Sequence, residues 1–573
     1  MPRATAVENA TSITRLESVD RRSFKVSRED NHFLCWPAAG TVPQLLSQNQ
    51  AILSERALPA WIAELRQNAR IDAIQSAQTF TAAYTDRIPS QAALHQNLQL
   101  IVSGHQPELF HPGVWFKNFL ISKLAAENRD AISLHVLIDH DEARSHALRV
   151  PHRIVSHDRG TTTAEFFQEF VRLPISPADG PRLPWDATST RDTQPADWES
   201  AIDRISMLLS SCSVRNPILQ SRASLMQLCI ANCANFGHAF SRFRHLIELD
   251  HGVKNLEVPI GRLCNGHVFG NFFRHCVLNA AELWQIHNKC RSDYRRQRAI
   301  RNPTQPVLEL LRHRDCVELP FWIYRSKLGF SADRKRLWLA PNGSDSVLLC
   351  DSPEPLSRSI ECEMPVDLGS WDVRWSELAS QGICIRPRAL MTTLYLRCFL
   401  ADLFVHGIGG GIYDQLTDEI IRRWLRIDPP AFVVGSASLH LPIATSHVAG
   451  VEHAREQCDR ELQLMRSAPE RYLDPNNASH RQLLTQHVRL RSSMPHRGQK
   501  KQWHQQMLQA RHQIESAILE RYRDARIRKA SIVKADQQRA ILQSREYSIG
   551  LFPESDITTR LNQLAEAAVS QID

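Results

Sequence analysis

Between Leu98 and Ile138 the chain alternates in a way that few folds accept. A mostly apolar run, Leu98 to Val102, ends in the small-residue turn Ser103-Gly104. A short loop with two His, two Pro and Gly113 follows, and then an apolar-periodic segment from Val114 to Ala126. Ile132-Ser133-Leu134-His135-Val136-Leu137-Ile138 is a second β-rich run. Buried parallel strands read as such short apolar runs. Strand, helix and strand in this order make a βαβ crossover, which is right-handed almost without exception. The crossover puts Ser103-Gly104-His105-Gln106 and Asp139-His140-Asp141 at the carboxyl ends of neighbouring strands, where α/β sheets bind ligands.

The turn after the first strand predicts an anion site. A helix starting near Pro112 suits proline, whose missing N–H has no helical partner to lose. Free N–H groups at that start, with Gly104 and Gly113 nearby and Lys117 in the first turns, attract phosphate or carboxylate. His105, Gln106 and His111 supply polar side chains. His105 is expected to donate a hydrogen bond and to titrate as an ordinary imidazole at about pH 6–7. The corner carries neither GxGxxG nor GxxxxGK[ST], so an ordinary strand–helix turn is the competing reading. Asp139, His140, Asp141 and His146 lack a metal-motif spacing, and no metal is expected.

Two later segments point to the same sheet edge. In Gly382-Ile383-Cys384-Ile385-Arg386-Pro387-Arg388-Ala389-Leu390, Arg386 and Arg388 follow a strand, and Arg suits bidentate contact with an oxyanion. A structural ion pair is the alternative. An apolar helix-like run spans Met391 to Phe404. His406-Gly407-Ile408-Gly409-Gly410-Gly411-Ile412-Tyr413 then packs four glycines into five positions, which predicts a loop of close backbone approach before a helix from Tyr413 to Leu425.

Residues 1–30 read as a poorly ordered arm without an apolar leader, and no apolar run is long enough to span a membrane, so a cytoplasmic protein is expected. The 13 cysteines are irregularly spaced and read as buried thiols. The net charge of +8 over 573 residues favours anionic small molecules weakly and does not argue for nucleic acid. From His447 onward glycine nearly disappears. Cys458, Leu462 and Met465, then Trp503, Met507, Ala510, Ile514 and Ala517, step by four and three, the spacing of a coiled coil or long helical hairpin. Arg491, Arg497, Lys500 and Lys501 read as the solvated tip of that hairpin, with nucleic-acid contact the lesser alternative.

These segments resemble, in order, the bacillithiol-biosynthesis cysteine-adding enzyme family. Its T/S-G-Q-Q-x-G-L-F-x-G-P-x-Y-x-x-x-K pattern is similar to Ser103 through Lys117, and its E-D-H-D to Ile138-Asp139-His140-Asp141. Its R-P-x-x-L is similar to Arg386-Pro387-Arg388-Ala389-Leu390, and its G-G-P-G-E-I-A-Y-x-x-Q-L to Gly407 through Leu416. Its late L-F-P-x-G-x-L-Q-x-R is similar to Leu551 through Arg560. The resemblance implies an α/β fold with a Rossmann-like parallel-sheet core and a C-terminal α-helical coiled-coil hairpin. The core would span 31–446 with a helical and connecting insertion at about 155–375, the hairpin 447–535, and 536–573 would pack back on the core. It further implies a cysteine ligase acting on a glucosaminyl-malate-type acceptor, ATP or another nucleotide in the corner, and a homodimer. His105, His140 and Asp141 would be catalytic. Ser103, Gly104, Gln106, His111, Gly113, Lys117, Asp139, Arg386, Arg388, Gly407, Gly409, Gly410, Gly411 and Tyr413 would bind substrate or nucleotide. Two alternatives stand beside this: a non-catalytic dimeric scaffold, and a nucleotidyltransferase-like enzyme, because His111-Pro112-Gly113 is similar to the first part of H-x-G-H.

Overall fold

The computed structural model describes residues 24, 26–88, 98–128, 130–143, 146–158, 161–175, 182–191, 193–326, 333–443, 451–493, 495–496 and 499–570. Strands β1 (His32–Trp36), β2 (Gln99–His105), β3 (Ala131–Leu137), β4 (Ala147–Asp158), β5 (Thr161–Arg172), β6 (Leu256–Pro259) and β7 (Arg312–His313) precede β8 (Cys316–Arg325), β9 (Lys335–Ala340), β10 (Ser346–Cys350), β11 (Glu361–Pro365), β12 (Ile383–Pro387), β13 (Leu403–His406) and β14 (Phe432–Ser438).

The main sheet has the order β1-β14-β13-β2-β3-β6. β14, β13, β2, β3 and β6 run parallel, and only the edge strand β1 is antiparallel. The alternation of strand side chains divides its residues between two cores. Leu100 and Val102 face one, with the Ala60–Ala82 helix; Ile101, Leu403 and Val405 face the other, with the Pro112–Ala126 helix. The expected β2–helix–β3 unit is present. From β2 the chain proceeds to β3 and β6 on one side, and later from β13 to β14 on the other. The connections therefore reverse between β2 and β13, and such a switch point leaves a crevice at the carboxyl ends of the two strands.

Their amino ends are clamped. Asp402, just before β13, accepts from Leu100 N at 2.7 Å, Arg66 Nη2 at 2.7 Å and Arg70 Nη1 at 2.8 Å. This clamp explains a departure from the predicted Met391–Phe404 helix. The Ala389–Tyr395 helix loosens into a π turn at Leu396–Leu400 and gives way to β13, because Asp402 holds the chain extended beside β2.

Other expectations change. The segment expected at about 155–375 as a helical and connecting insertion opens instead within the antiparallel ribbon β4–β5, twelve residues in each strand. The 155–375 segment also carries most of a second, antiparallel sheet, β11-β10-β9-β8-β12 with β7 on β8, which covers the open edge of the crevice. Residues 267–297 form two helices, His267–Leu278 and Ala280–Gln297. β8 and β9 are antiparallel neighbours, and the loop at 327–332 lies outside the described residues. Of the predicted arm, 1–23 and 25 also lie outside them. Residues 26–30 pack on the sheet: Ser438 Oγ donates to Ser27 O at 2.6 Å, and His440 N to Asp30 at 2.7 Å.

The predicted boundary at 447 lies outside the described residues. Beyond it, helices span Val451–Ser467, Ala478–Ser492, Lys500–Ala517 and Leu519–Leu542. Arg455 pairs with Asp536 at 2.5 Å, Asp459 with Lys529 at 2.6 Å and Glu461 with Arg528 at 3.0 Å. The partners run in opposite order, so the first and last of these helices are antiparallel. Cys458, Leu462, Met465, Ile514, Ile518 and Ala525 form their core. The chain then returns to the sheet: Ile549 N donates to Phe110 O at 2.8 Å, and Leu551 and Phe552 are buried. No helix among the described residues is long and apolar enough to cross a membrane.

One buried charge cluster joins these layers. Arg244 donates to Glu248 at 2.7 Å and to Glu257 of β6; Glu248 also accepts from Trp115 Nε1 at 2.6 Å and Asn118 Nδ2 at 2.8 Å. Arg244→Met keeps the side chain's bulk but leaves two buried carboxylates facing each other. We expect it to cost about 3–5 kcal/mol, the usual result of breaking a buried pair. Urea unfolding followed by circular dichroism measures it, and a cost near zero would mean that the carboxylates need no cation.

Candidate functional site

The crevice is a cavity of about 650 Å³. β2 contributes Gly104 and His105 with Gln106 after it; the turn after β3 contributes Ile138, His140 and Asp141; β13 and its turn contribute His406, Gly407, Gly409 and Gly410. His111, Gly113 and Lys117 enter from the Pro112–Ala126 helix and its cap, and Arg388 from the end of β12. The motifs at 104–117, 138–141 and 407–410 thus share one site.

Other predicted residues sit elsewhere. Ser103 is buried and donates to Val405 O at 2.9 Å, stitching β2 to β13. Asp139 turns away and accepts from Gly261 N at 2.9 Å, with His238 Nε2 at 3.5 Å. Arg386 is buried behind the crevice, donating to Asn265 at 2.9 Å with Asp186 at 3.9 Å. Residues two apart on a strand share a face, but β12 ends at Pro387, so Arg388 is already past the strand and the two part. Tyr413 is half-exposed outside the cavity.

The glycines are not a loop. Ile408 starts the helix, so Gly409, Gly410 and Gly411 form its first turn. A Cβ on Gly411 would lie 2.5 Å from Val434 Cγ2, and one on Gly410 2.7 Å from His406 Nδ1. At these two positions glycine permits the helix to meet β14 and β13; Gly411 is packing rather than lining.

The predicted anion corner also changes. His111 is the cap of the Pro112–Ala126 helix: its Nδ1 accepts from Gly113 N at 3.1 Å, and its carbonyl from Val114 N at 3.0 Å. The first-turn donors are therefore already engaged. What remains cationic is the set of side chains. Lys117, 2 % exposed, donates to Gly104 O at 2.8 Å and has no carboxylate partner among the described residues. Burial lowers its pKa to about 7. Burial, with the charge of Lys117, lowers that of His105 to about 3, so the expectation of an ordinary titration fails. His105 Nδ1 lies 3.2 Å from Gln106 O, where it donates, which leaves Nε2 as an acceptor rather than the predicted donor.

Asp141 is the only carboxylate lining the cavity among the described residues. Burial opposes its charge, yet the Gln106 amide, donating at 2.7 Å, and Arg334, donating at 2.9 Å, hold its pKa below the usual range. His140 is buried, and burial lowers its pKa to about 4 against the pull of Asp139 and Asp141.

The sequence reading missed Trp322, Arg334, His406 and Arg545. Arg334 and Arg388 lie over the Trp322 ring at 5.1 and 4.1 Å. Arg388 donates to Glu318 at 2.7 Å, while its Nε and Nη1 are buried with no partner among the described residues. His406 Nε2 lies 2.8 Å from Asp414. Arg545 reaches back from the C-terminal segment to Ser436 Oγ at 2.9 Å. Only tertiary structure brings these together. No group of side chains able to hold a metal occurs among the described residues.

Compared with known proteins, the chain matches no family model and no curated protein.

Lys117 offers a direct check. Its folded pKa lies below its unfolded value, so the folded state pays for a buried charge at pH below about 7, and the penalty fades as pH rises toward the unfolded value. Lys117→Met should therefore raise the melting temperature most at pH 5–6, roughly below the folded pKa, with the gain shrinking toward alkaline pH. A gain independent of pH would show that Lys117 is not strained by burial.

Proposed function

We propose that this chain is an enzyme of the ligase type, binding a phosphate- or carboxylate-bearing substrate in the crevice and joining an amine to an activated carboxyl group. The observation that carries the reading is the unbalanced charge of the cavity. Lys117 has no carboxylate partner among the described residues, Arg388 keeps two idle donors beyond its pair with Glu318, and Asp141 alone opposes them among the described lining carboxylates. Idle buried donors are costly, and an oxyanion satisfies both groups at once.

The resemblance to the bacillithiol-biosynthesis cysteine-adding enzymes supplies the rest. It makes the parallel sheet a Rossmann-like core, the antiparallel helices a coiled coil that pairs two copies, and the substrates cysteine and a glucosaminyl-malate-type acceptor. ATP or another nucleotide would provide the activated leaving group, and a cavity of about 650 Å³ suits a ligand of that size. Lys117 and Arg388 would hold the anion. Asp141, oriented by Gln106 and Arg334, would hold the incoming amine as its ammonium. His105 and His140 are neutral at pH 7, and an anion beside them raises their proton affinity; one would take a proton from that ammonium and free the lone pair that attacks the activated carboxyl carbon, and the other would take the second proton as the C–N bond forms and the leaving group departs.

Calorimetric titration of ATP, ADP and pyrophosphate into the full chain tests this. Lys117→Met and Arg388→Met should each weaken binding by about 1.5–3 kcal/mol, the value of a hydrogen bond to a charged group. Wild-type affinity should also fall as pH rises through the titration of Lys117, while the Lys117→Met variant loses that dependence. If none of the three binds, or if both variants bind as tightly as wild type, the reading fails.

A further inference from the structure

The mild net charge conceals an uneven distribution. Between Asp474 and Glu515 the sequence has no acidic residue, yet it contains seven Lys and Arg, including Arg481, Arg489, Arg491, Lys500 and Lys501. The overall excess is +8, so this one segment carries a positive charge nearly equal to that of the whole chain.

Folding gathers that charge at one place. The segment forms the Ala478–Ser492 and Lys500–Ala517 helices, which pack side by side as the distal half of the helical arm; Trp503 Nε1 donates across to Leu490 O at 2.7 Å. Arg481, Arg489, Arg491, Lys500 and Lys501 are all exposed, and none has a carboxylate partner among the described residues. The proximal half is different. There Arg455, Arg528 and Lys529 are matched by Asp536, Glu461 and Asp459. Cations are thus neutralised where the arm joins the body and left open where it ends. A second copy of the same tip would meet like charge.

We propose that the distal helix pair is a binding surface for the phosphate backbone of a nucleic acid. Two helices of this length rise about 22–27 Å at 1.5 Å per residue, and the open cations are spread along them, a span that covers several successive phosphates of a duplex, in which charges recur every ~1.7 Å of axis. The rest of the surface fits the same partner. Eight Gln and five His between 478 and 517 are hydrogen-bonding side chains of the kind that contact phosphate and sugar. Exposed large apolar side chains on the pair are few, Leu484, Val488 and Leu508. A helix that lies in a lipid surface needs a broad apolar face instead.

The test is fluorescence anisotropy with the full chain, a labelled 20-base-pair RNA duplex, a DNA duplex of the same sequence, and, by co-sedimentation, vesicles rich in anionic phosphatidylserine. We expect binding to at least one duplex, with affinity falling by about two to three orders of magnitude between 50 and 200 mM salt for roughly five phosphate contacts. Comparing the two duplexes distinguishes RNA from DNA as the source. The variant Arg489→Gln/Arg491→Gln/Lys500→Gln/Lys501→Gln should lose at least about a hundredfold of that affinity at low salt, with an unchanged melting temperature. A control that neutralises Arg56, Arg215, Arg301 and Arg312, exposed elsewhere, should bind nearly as wild type. Absence of duplex binding, equal loss in both variants, or vesicle binding tighter than either duplex would overturn the proposal.

Discussion

The architecture turns on a single guanidinium. Arg244 lies between Glu248 and Glu257, and through Glu248 it reaches Trp115 and Asn118 on the next helix. Two carboxylates share one cation in a buried site, so the cluster is stable only as a complete set. Burial shifts Glu257 upward in pKa, the direction expected where charge is undercompensated. Trp115 and Asn118 flank Lys117 in sequence. The cluster that anchors one face of the Pro112–Ala126 helix therefore also fixes where Lys117 emerges on the other. A lysine held this rigidly cannot bend away to water, which is why its ammonium stays next to Gly104 O despite the cost of burial.

The main sheet has a locked end and an open end. At the amino ends Asp402, Arg66 and Arg70 satisfy one another and the backbone of β2. At the carboxyl ends Arg388 pairs with Glu318 but keeps Nε and Nη1 without a partner, and the amine of Lys117 meets a carbonyl rather than a carboxylate among the described residues. Both ends are built from the same residue types, and the difference is where the carboxylates lie.

How much of this could be read beforehand depended on range. The β2–helix–β3 unit was legible because hydrophobic periodicity and the Pro112 start are local signals, and both were found within a few residues of the expected bounds. The gathering of Gly104, Lys117, Asp141 and Gly407 followed from strand ends alone. The glycine run misled because glycine signals close approach without saying to what; at Gly411 the neighbour is Val434, not a ligand. His111 looked like a free polar group and serves as a cap, since an imidazole acceptor two residues before an amide is a local option that sequence does not single out. Arg386 was misplaced because the side of a strand a residue faces depends on what covers the sheet. Asp186 and Asn265, which surround it, come from distant segments.

Arg545 has a consequence in time. The strand and helix that open the crevice are made early, and the arginine that reaches Ser436 belongs to a segment made long after them. During synthesis the emerging chain first exposes Gly104, Lys117 and later the turn at Gly407 with one wall missing. A half-built crevice of this kind lacks Arg545 and its hydrogen bond to Ser436. The order of residues along the chain thus acts as a delay, in which the lining is completed only after the helical arm has been made and the chain has doubled back to the sheet.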